Sequence, residues 1–280
     1  MIMSLEVASL NSGSNGNAYY IGNKNEAVLI DAGISCAEIE TRMLRLGLDM
    51  GRLKAVFITH EHSDHISGLP RLVRKYQLPV FITEGTYQHA HLHIKKQLVN
   101  SFLPMVPVFI GNLRITAFPK THDAVDPHSF IITEDSVTIG VFTDFGKACD
   151  HVITHFRRCN AVFLETNYDE DRLINGSYPK ILKNRIKSDK GHLSNHQALE
   201  LFTNHRSDYL SHLFLSHLSH ENNSPDIVEN LFARHAGNTK IMLASRDRET
   251  AVFTIGDELI YASGSQKPWI RKGQVQLSLF

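Results

Sequence analysis

The chain has 280 residues, 42% apolar and 21% charged, an ordinary globular composition with room for a sizeable core. Its 29 basic residues balance its 29 acidic ones, so overall charge favours no class of partner, whereas its 17 histidines are more than most soluble chains carry. Three cysteines (Cys36, Cys149, Cys159) without paired spacing argue against a disulfide framework. They fit a reducing, cytoplasmic setting. MIMSLEVASLNSGSNG lacks a basic start followed by an apolar stretch, so no signal peptide is expected. No apolar run approaches the roughly 18 residues of a membrane span.

In chain order, LEVASL (5–10) and NAYYIG (17–22) read as strands around a Ser/Gly/Asn loop, and EAVLIDAG (26–33) as a buried strand ending in Asp31. Residues 36–47 place Ile39, Met43, Leu44 and Leu46 at near-helical spacing, with Gly47 as a stop. KAVFITH (54–60) is a strand, HISGLPRLVRKY (65–76) a helix and LPVFIT (78–83) a strand, followed by a helix over about 85–98. Residues 113–119, 129–135 and 137–144 look like antiparallel strands and AVFLETN (161–167) like another, ahead of a helix-rich basic stretch reaching about 190. NHQALELFTNH is a helix, YLSHLFLSHLS holds a strand, PDIVENLFARH is a helix, and TKIMLAS and AVFTIG are the last strands. Strands that end in polar residues and alternate with helices indicate a layered α/β protein. Two similar halves of this kind can pack as a four-layer αββα sandwich, a single domain over residues 1–280.

The run ITHEHSDHISG (58–68) carries the chemistry. With His60 at a strand end, alternate residues of the following loop point inward, so His60 and His62 can face one ion. Asp64 and His65 fall on the next turn and can face a neighbouring one. Imidazole suits Zn and Fe, and carboxylate suits harder ions such as Mn. Each site needs further ligands, and His122, Asp144 and His217 are polar residues at the ends of apolar runs. His89, His91 and His93 in QHAHLHIKK read as core or surface histidines, although His89 and His93 would share a helix face. His151, His155, His205, His212 and His235 have the same reading.

THEHSDH resembles the H-x-H-x-D-H signature of metallo-β-lactamase fold hydrolases. The resemblance continues through LIDAG, THDA, FTDFG, FLETN, GHLSN and SHLSHENN, of which the last three are most similar to the WalJ/YycJ subgroup, described as DNA exonucleases. It implies that His60, His62 and His122 bind one metal ion, that Asp64, His65 and His217 bind a second, and that Asp144 bridges them. His217 rather than His220 takes the ligand position. Two divalent ions (Zn, Mn or Fe) would share a hydroxide that attacks phosphorus in line. Asp64 would orient it or take its proton. His192 in GHLSN is the candidate general acid and Glu165 its orienting partner. The alternatives are that His192 caps the helix starting near Ser194 and that Glu165 is a plain strand-end acid. Flavodiiron chemistry does not fit a histidine at position 62, and a one-iron dioxygenase does not fit an intact second set. Ligands alone do not separate thioesterases of this fold. The 72 residues between Asp144 and His217 are too few for the long β-CASP insertion of larger RNA nucleases.

For substrate, the loop SGSNGN (12–17) is either a hairpin turn or a phosphate cradle using Ser14 or Asn15. Asn167 and Asn222 are further substrate-binding candidates in FLETN and SHLSHENN. Basic residues gather at Lys180, Lys183, Arg185, Lys187 and Lys190, at Arg71, Arg74 and Lys75, and at Lys267, Arg271 and Lys272. Such patches can grip a nucleic-acid backbone without reading sequence. The expected function is a two-metal phosphodiesterase acting as a DNA exonuclease, 5′ to 3′ by resemblance. The alternatives are a small-molecule (cyclic nucleotide-like) phosphodiesterase and a non-catalytic nucleic-acid-binding module.

Overall fold

The computed structural model describes residues 4–256. Among them are two seven-stranded sheets. The first comprises β1 (Ser4–Asn11), β2 (Ala18–Gly22), β3 (Ala27–Ile30), β4 (Leu53–Phe57), β5 (Val80–Phe81), β6 (Val99–Asn100) and the last strand, β14 (Phe253–Gly256). The second holds β7 (Val108–Ile110), β8 (Leu113–Pro119), β9 (His128–Glu134), β10 (Val137–Phe142), β11 (Ala161–Glu165), β12 (His212–Ser216) and β13 (Lys240–Leu243). Their orders are β14-β1-β2-β3-β4-β5-β6 and β13-β12-β11-β10-β9-β8-β7.

The two orders repeat one plan. An antiparallel half (β14 to β3, β7 to β10) joins a parallel half (β3 to β6, β10 to β13) in each sheet. The helices are α1 (Cys36–Arg45), α2 (Ser63–Ile66), α3 (Leu69–Tyr76), α4 (Glu84–His89), α5 (Asp150–Phe156), α6 (Glu170–Asn175), α7 (Lys180–Ile186), α8 (Asn195–His205) and α9 (Pro225–Ala233).

Alternation along the strands separates three apolar layers. On β2, Tyr19 and Ile21 join Val28, Phe57, Phe130, Val141, Phe163 and Phe214 between the sheets. Ala18 and Tyr20 face the other way, toward Ile39 and Met43 of α1 and Leu72 and Val73 of α3. Beyond the second sheet, Phe142, Val162, Leu164 and Leu215 meet Phe156 of α5, Phe202 of α8 and Phe232 of α9. The arrangement is the expected αββα sandwich. Strands β9 and β10 are buried along their whole length, as a sheet covered on both faces requires. No helix among the described residues is long and apolar enough to cross a membrane.

Two local expectations need correction. The helix expected over about 85–98 is only α4, because His91 adopts a left-handed φ of 49° and ends the run. His89 and His93 therefore share no helix face. The helix expected over 65–76 is split into α2 and α3, with Gly68 between them in close contact with Ile34. Lys267, Arg271 and Lys272 lie outside the described residues.

Candidate metal centre

Parallel strands in one sheet bring their carboxyl ends to one edge, and here both sheets do so on the same side. Asp31 follows β3, His60 follows β4, Asp144 follows β10, Glu165 ends β11 and His217 follows β12. Strand β8 runs in the same direction as β10, so its exit delivers His122 to this edge. Asp31, Asp144 and His217 all turn out of their strands with left-handed φ, at 62°, 57° and 57°. Such residues cost of order 1–3 kcal/mol each and concentrate where function fixes the backbone.

His62 is the N-cap of α2, and Asp64 and His65 lie in its single turn. This turn sits close against the loop after β3. A Cβ on Gly33 would lie 1.7 Å from the Asp64 carbonyl oxygen, so only glycine lets the two segments meet. The backbone N–H of Asn17 donates to that same oxygen at 2.7 Å.

Hydrogen bonds orient the imidazoles. Thr59 Oγ1 gives its one hydrogen to Asp31 Oδ2 at 2.8 Å and so accepts from His60 Nδ1, also at 2.8 Å. His65 Nδ1 donates to Asp31 Oδ2 (2.7 Å), His122 Nδ1 to the Gly191 carbonyl (3.1 Å) and His217 Nδ1 to Glu165 Oε1 (3.0 Å). Each of these four rings turns its Nε2 toward the cluster. Carboxylates and carbonyls behind histidines are the usual means of fixing metal-binding tautomers.

Donor atoms fall into overlapping groups within 4.8 Å: His60, His62 and His122; Asp64, His65 and His217; His60, His65 and Asp144; and Asp144, Glu165, His192 and His217. The first two are disjoint, and Asp144 adjoins both. Asp144 Oδ2 is 3.3 Å from His65 Nε2, Asp144 Oδ1 is 3.4 Å from His217 Nε2, and Asp64 Oδ2 is 3.5 and 3.6 Å from the same two nitrogens. Two ligands each about 2.1 Å from a tetrahedral ion lie about 3.4 Å apart. His122 Nε2, His217 Nε2 and Asp144 Oδ2 are buried with no hydrogen bond, although buried polar atoms almost always have one. Converging, buried and unpaired, these atoms fit a divalent cation.

The electrostatics agree. Burial pushes His60 well down and His122 down to about 3, so both are neutral donors. Burial also opposes charge on His217, but Asp144, Asp64 and Glu165 outweigh it and hold this imidazole up at about 10. His65 is raised in the same way by Asp144, Asp31 and Asp64. Burial would raise Glu165, yet His192 and His217 hold it down to about 2. Asp64 and Asp144 are likewise kept ionised against burial by His65 and His217.

A family model described as the beta-lactamase superfamily domain matches residues 26–217. The exodeoxyribonuclease YycJ of Bacillus anthracis is 32% identical over 235 residues, spanning 81% of this chain and 87% of that protein. The chain belongs to the metallo-β-lactamase superfamily, in the WalJ/YycJ family. The exodeoxyribonuclease WalJ of Streptococcus pneumoniae (strain D39) is 33% identical, over 78% of this chain and 83% of that one. The metallo-β-lactamase fold protein YhfI of Bacillus subtilis superposes with a TM-score of 0.71 at 18% identity, over 90% of this chain and all of that one, a likeness of fold.

The superfamily site opens into a cleft of about 240 Å³ lined by Ser14, His62, Asp64, His122, Asp144, Asn167, His192 and His217 among others. His192 Nδ1 donates to Glu165 Oε1 at 2.7 Å, the oxygen that also holds His217. The helix cap is Ser194, in a capping box with Gln197, so His192 is not the cap and lines the cleft. Asn167 donates to the His217 carbonyl at 2.9 Å. Ser14 reaches the cleft, whereas Asn15 donates to the Arg246 carbonyl at 2.8 Å and secures that loop. Asn222 is buried against Ser219 and is not part of the cleft lining.

Asp31 and Asn17 were not assigned roles from sequence. Asn17 Nδ2 lies 3.3 Å from Asp64 Oδ2 and 3.1 Å from His65 Nε2, while its Oδ1 accepts from Gly13 N and from the Tyr19 hydroxyl. A signal for Asp31 was present: LIDAG and FTDFG share a strand, an Asp and a Gly two residues later. Asn17 closes the SGSNGN loop, in which only Ser14 and Asn15 were singled out.

Proposed function

We propose that the protein is a two-metal phosphodiesterase that removes nucleotides from DNA ends, in the 5′-to-3′ direction, in the cytoplasm. The observation that carries the chemistry is the pair of disjoint donor groups meeting at Asp144, beside a histidine that faces the cleft from a buried carboxylate. The names of the WalJ and YycJ relatives point to DNA. In this reading His60, His62 and His122 hold one ion, Asp64, His65 and His217 hold the other, and Asp144 touches both. Divalent ions bound there supply Lewis acidity and lower the pKa of water toward about 7.

The chain's own groups do the rest. Asp64 is 20% exposed at its side chain, open to the cleft, and orients the attacking water or takes its proton. His192 Nε2 gives a proton to the departing sugar oxygen. Glu165 keeps the His192 proton on Nδ1 and holds the ring with Nε2 free for the cleft. Ser14 and Asn167 border the cleft where substrate oxygens would lie. Three free cysteines, two of them buried, accord with a reducing compartment.

The test is to load purified protein with Mn or Zn and offer end-labelled DNA, with each end blocked in turn, beside bis-p-nitrophenyl phosphate. Stepwise loss of nucleotides from an open 5′ end is expected. Hydrolysis of the small ester with DNA left intact would make the protein a small-molecule phosphodiesterase.

A further inference from the structure

Opposite the histidine cluster the cleft is walled by α7 and its approach, through Tyr178, Leu182, Arg185 and Ile186. This helix buries none of its residues, and Ile181 is 86% exposed. Core packing therefore does not explain its position. Polar contacts hold it instead. Lys183 Nζ donates to the carbonyls of Ile174 and Gly176, both at 2.7 Å, and His192 N donates to the Ile186 carbonyl at 2.9 Å. Gly191 lies directly beneath, where a Cβ would sit 2.1 Å from Ile186 O and 2.3 Å from Arg185 O. Since His122 donates to the Gly191 carbonyl, the wall is tied to both a candidate ligand and the candidate acid.

The cations of residues 180–190 are not equivalent. Lys183 is engaged by carbonyls. Lys180, Lys187 and Lys190 are exposed and do not line the cleft. Arg185 does line it, with a side chain 59% exposed, and its Nε donates to Asp123 Oδ2. The other oxygen of Asp123 is 3.4 Å from His122 Nε2. Only one carboxylate thus separates the guanidinium from the cluster. An ion pair this exposed is weak and easily exchanged, whereas a guanidinium fork on a phosphate is among the stronger polar contacts.

We propose that α7 is the nucleotide-binding wall of the cleft. Arg185 exchanges Asp123 for the backbone phosphate next to the one being cleaved, and Tyr178, which lines the cleft, stacks on the intervening base. The ligand class is a nucleic-acid strand carrying at least two successive phosphates, so this inference rests on the nuclease reading. Stacking is indifferent to base identity, which accords with cleavage that does not depend on sequence.

The experiment compares the Mn-loaded wild type with Arg185→Ala, Lys180→Ala, Tyr178→Phe and Tyr178→Ala. The substrates are a single-stranded oligonucleotide and bis-p-nitrophenyl phosphate, which has one phosphate and no base. Arg185→Ala is expected to lower kcat/KM on the oligonucleotide about tenfold more than on the small ester. It should also flatten the salt dependence by about 0.7 in log–log slope, the value for one lost phosphate contact on a single strand. Tyr178→Phe should retain the oligonucleotide KM and Tyr178→Ala should raise it. Equal losses on both substrates, an unchanged salt slope, or an equal loss in Lys180→Ala overturns the subsite alone. A wild type that hydrolyses the ester and leaves the oligonucleotide intact overturns the nuclease reading and the subsite with it.

Discussion

Asp31 and Glu165 stand at the ends of strands in opposite sheets, and each is a fully buried carboxylate behind a histidine of the cluster. Their remaining contacts differ. Asp31 accepts from Thr59 N and Thr59 Oγ1, both at 2.8 Å, so all its partners lie inside the structure. Glu165 accepts from Phe145 N at 3.0 Å and from two histidines, one of which, His192, keeps 23% of its side chain exposed. The same device therefore has two uses. Where every partner is buried, the carboxylate only positions. Where one histidine reaches the cleft, it also sets that ring's tautomer and orientation.

The largest effect that would sharpen this contrast is expected for Glu165→Gln, which disturbs His217 and His192 together. A fall in kcat of roughly 10³ is expected, because weakened ligand support combines with a lost acid, and added metal should restore little of it. A variant brought back to wild-type rate by excess metal would reduce Glu165 to the same role as Asp31. His192→Ala comes next. It should lower kcat on DNA by about 10² or more while leaving metal stoichiometry unchanged by elemental analysis. On bis-p-nitrophenyl phosphate the loss should be much smaller, because p-nitrophenolate leaves without a proton.

Asp31→Asn follows. Asparagine tolerates the left-handed conformation, so the charge is removed with little backbone penalty. Metal affinity measured by titration should drop about 10- to 100-fold, and saturating metal should recover activity. A loss that saturating metal leaves in place would show that Asp31 does more than position.

The last expectation concerns binding alone and is a pH dependence of metal affinity. With no metal bound, His217 keeps its proton up to about 10 and His65 is also raised, so both are protonated at neutral pH. Metal binding must displace those protons. Apparent affinity should then rise with pH, by about tenfold per unit for each proton released, and calorimetry in two buffers of different ionisation enthalpy should detect the release. An affinity flat between pH 6 and 8 would mean that these two rings are not ligands.

Much of this was legible in sequence where the information is local. The run from His60 to His65 declares itself because consecutive residues of a strand exit and a short helix must share a small volume. The strands and α8 follow from their apolar periodicity, and His122, Asp144 and His217 were visible as polar ends of apolar runs. The helix expected to about 98 was not legible, because the break at His91 is a backbone choice that helix-compatible residues do not announce. The five cations at 180–190 counted equally in sequence, yet Lys183 faces carbonyls and Arg185 faces the cleft.

What the sequence determined by itself was the composition of the site: the residue types, the strand ends that present them and the family they resemble. Only the tertiary structure decided which groups meet. Asp31 reaches His65 across 34 positions and Glu165 reaches His217 across 52, and Asn17 meets Asp64 through an abutment that only Gly33 permits. Periodicity and local chemistry act over a few residues and can be read along the chain. The alignment of strand ends depends on sheet order and register, which arise from packing between distant segments.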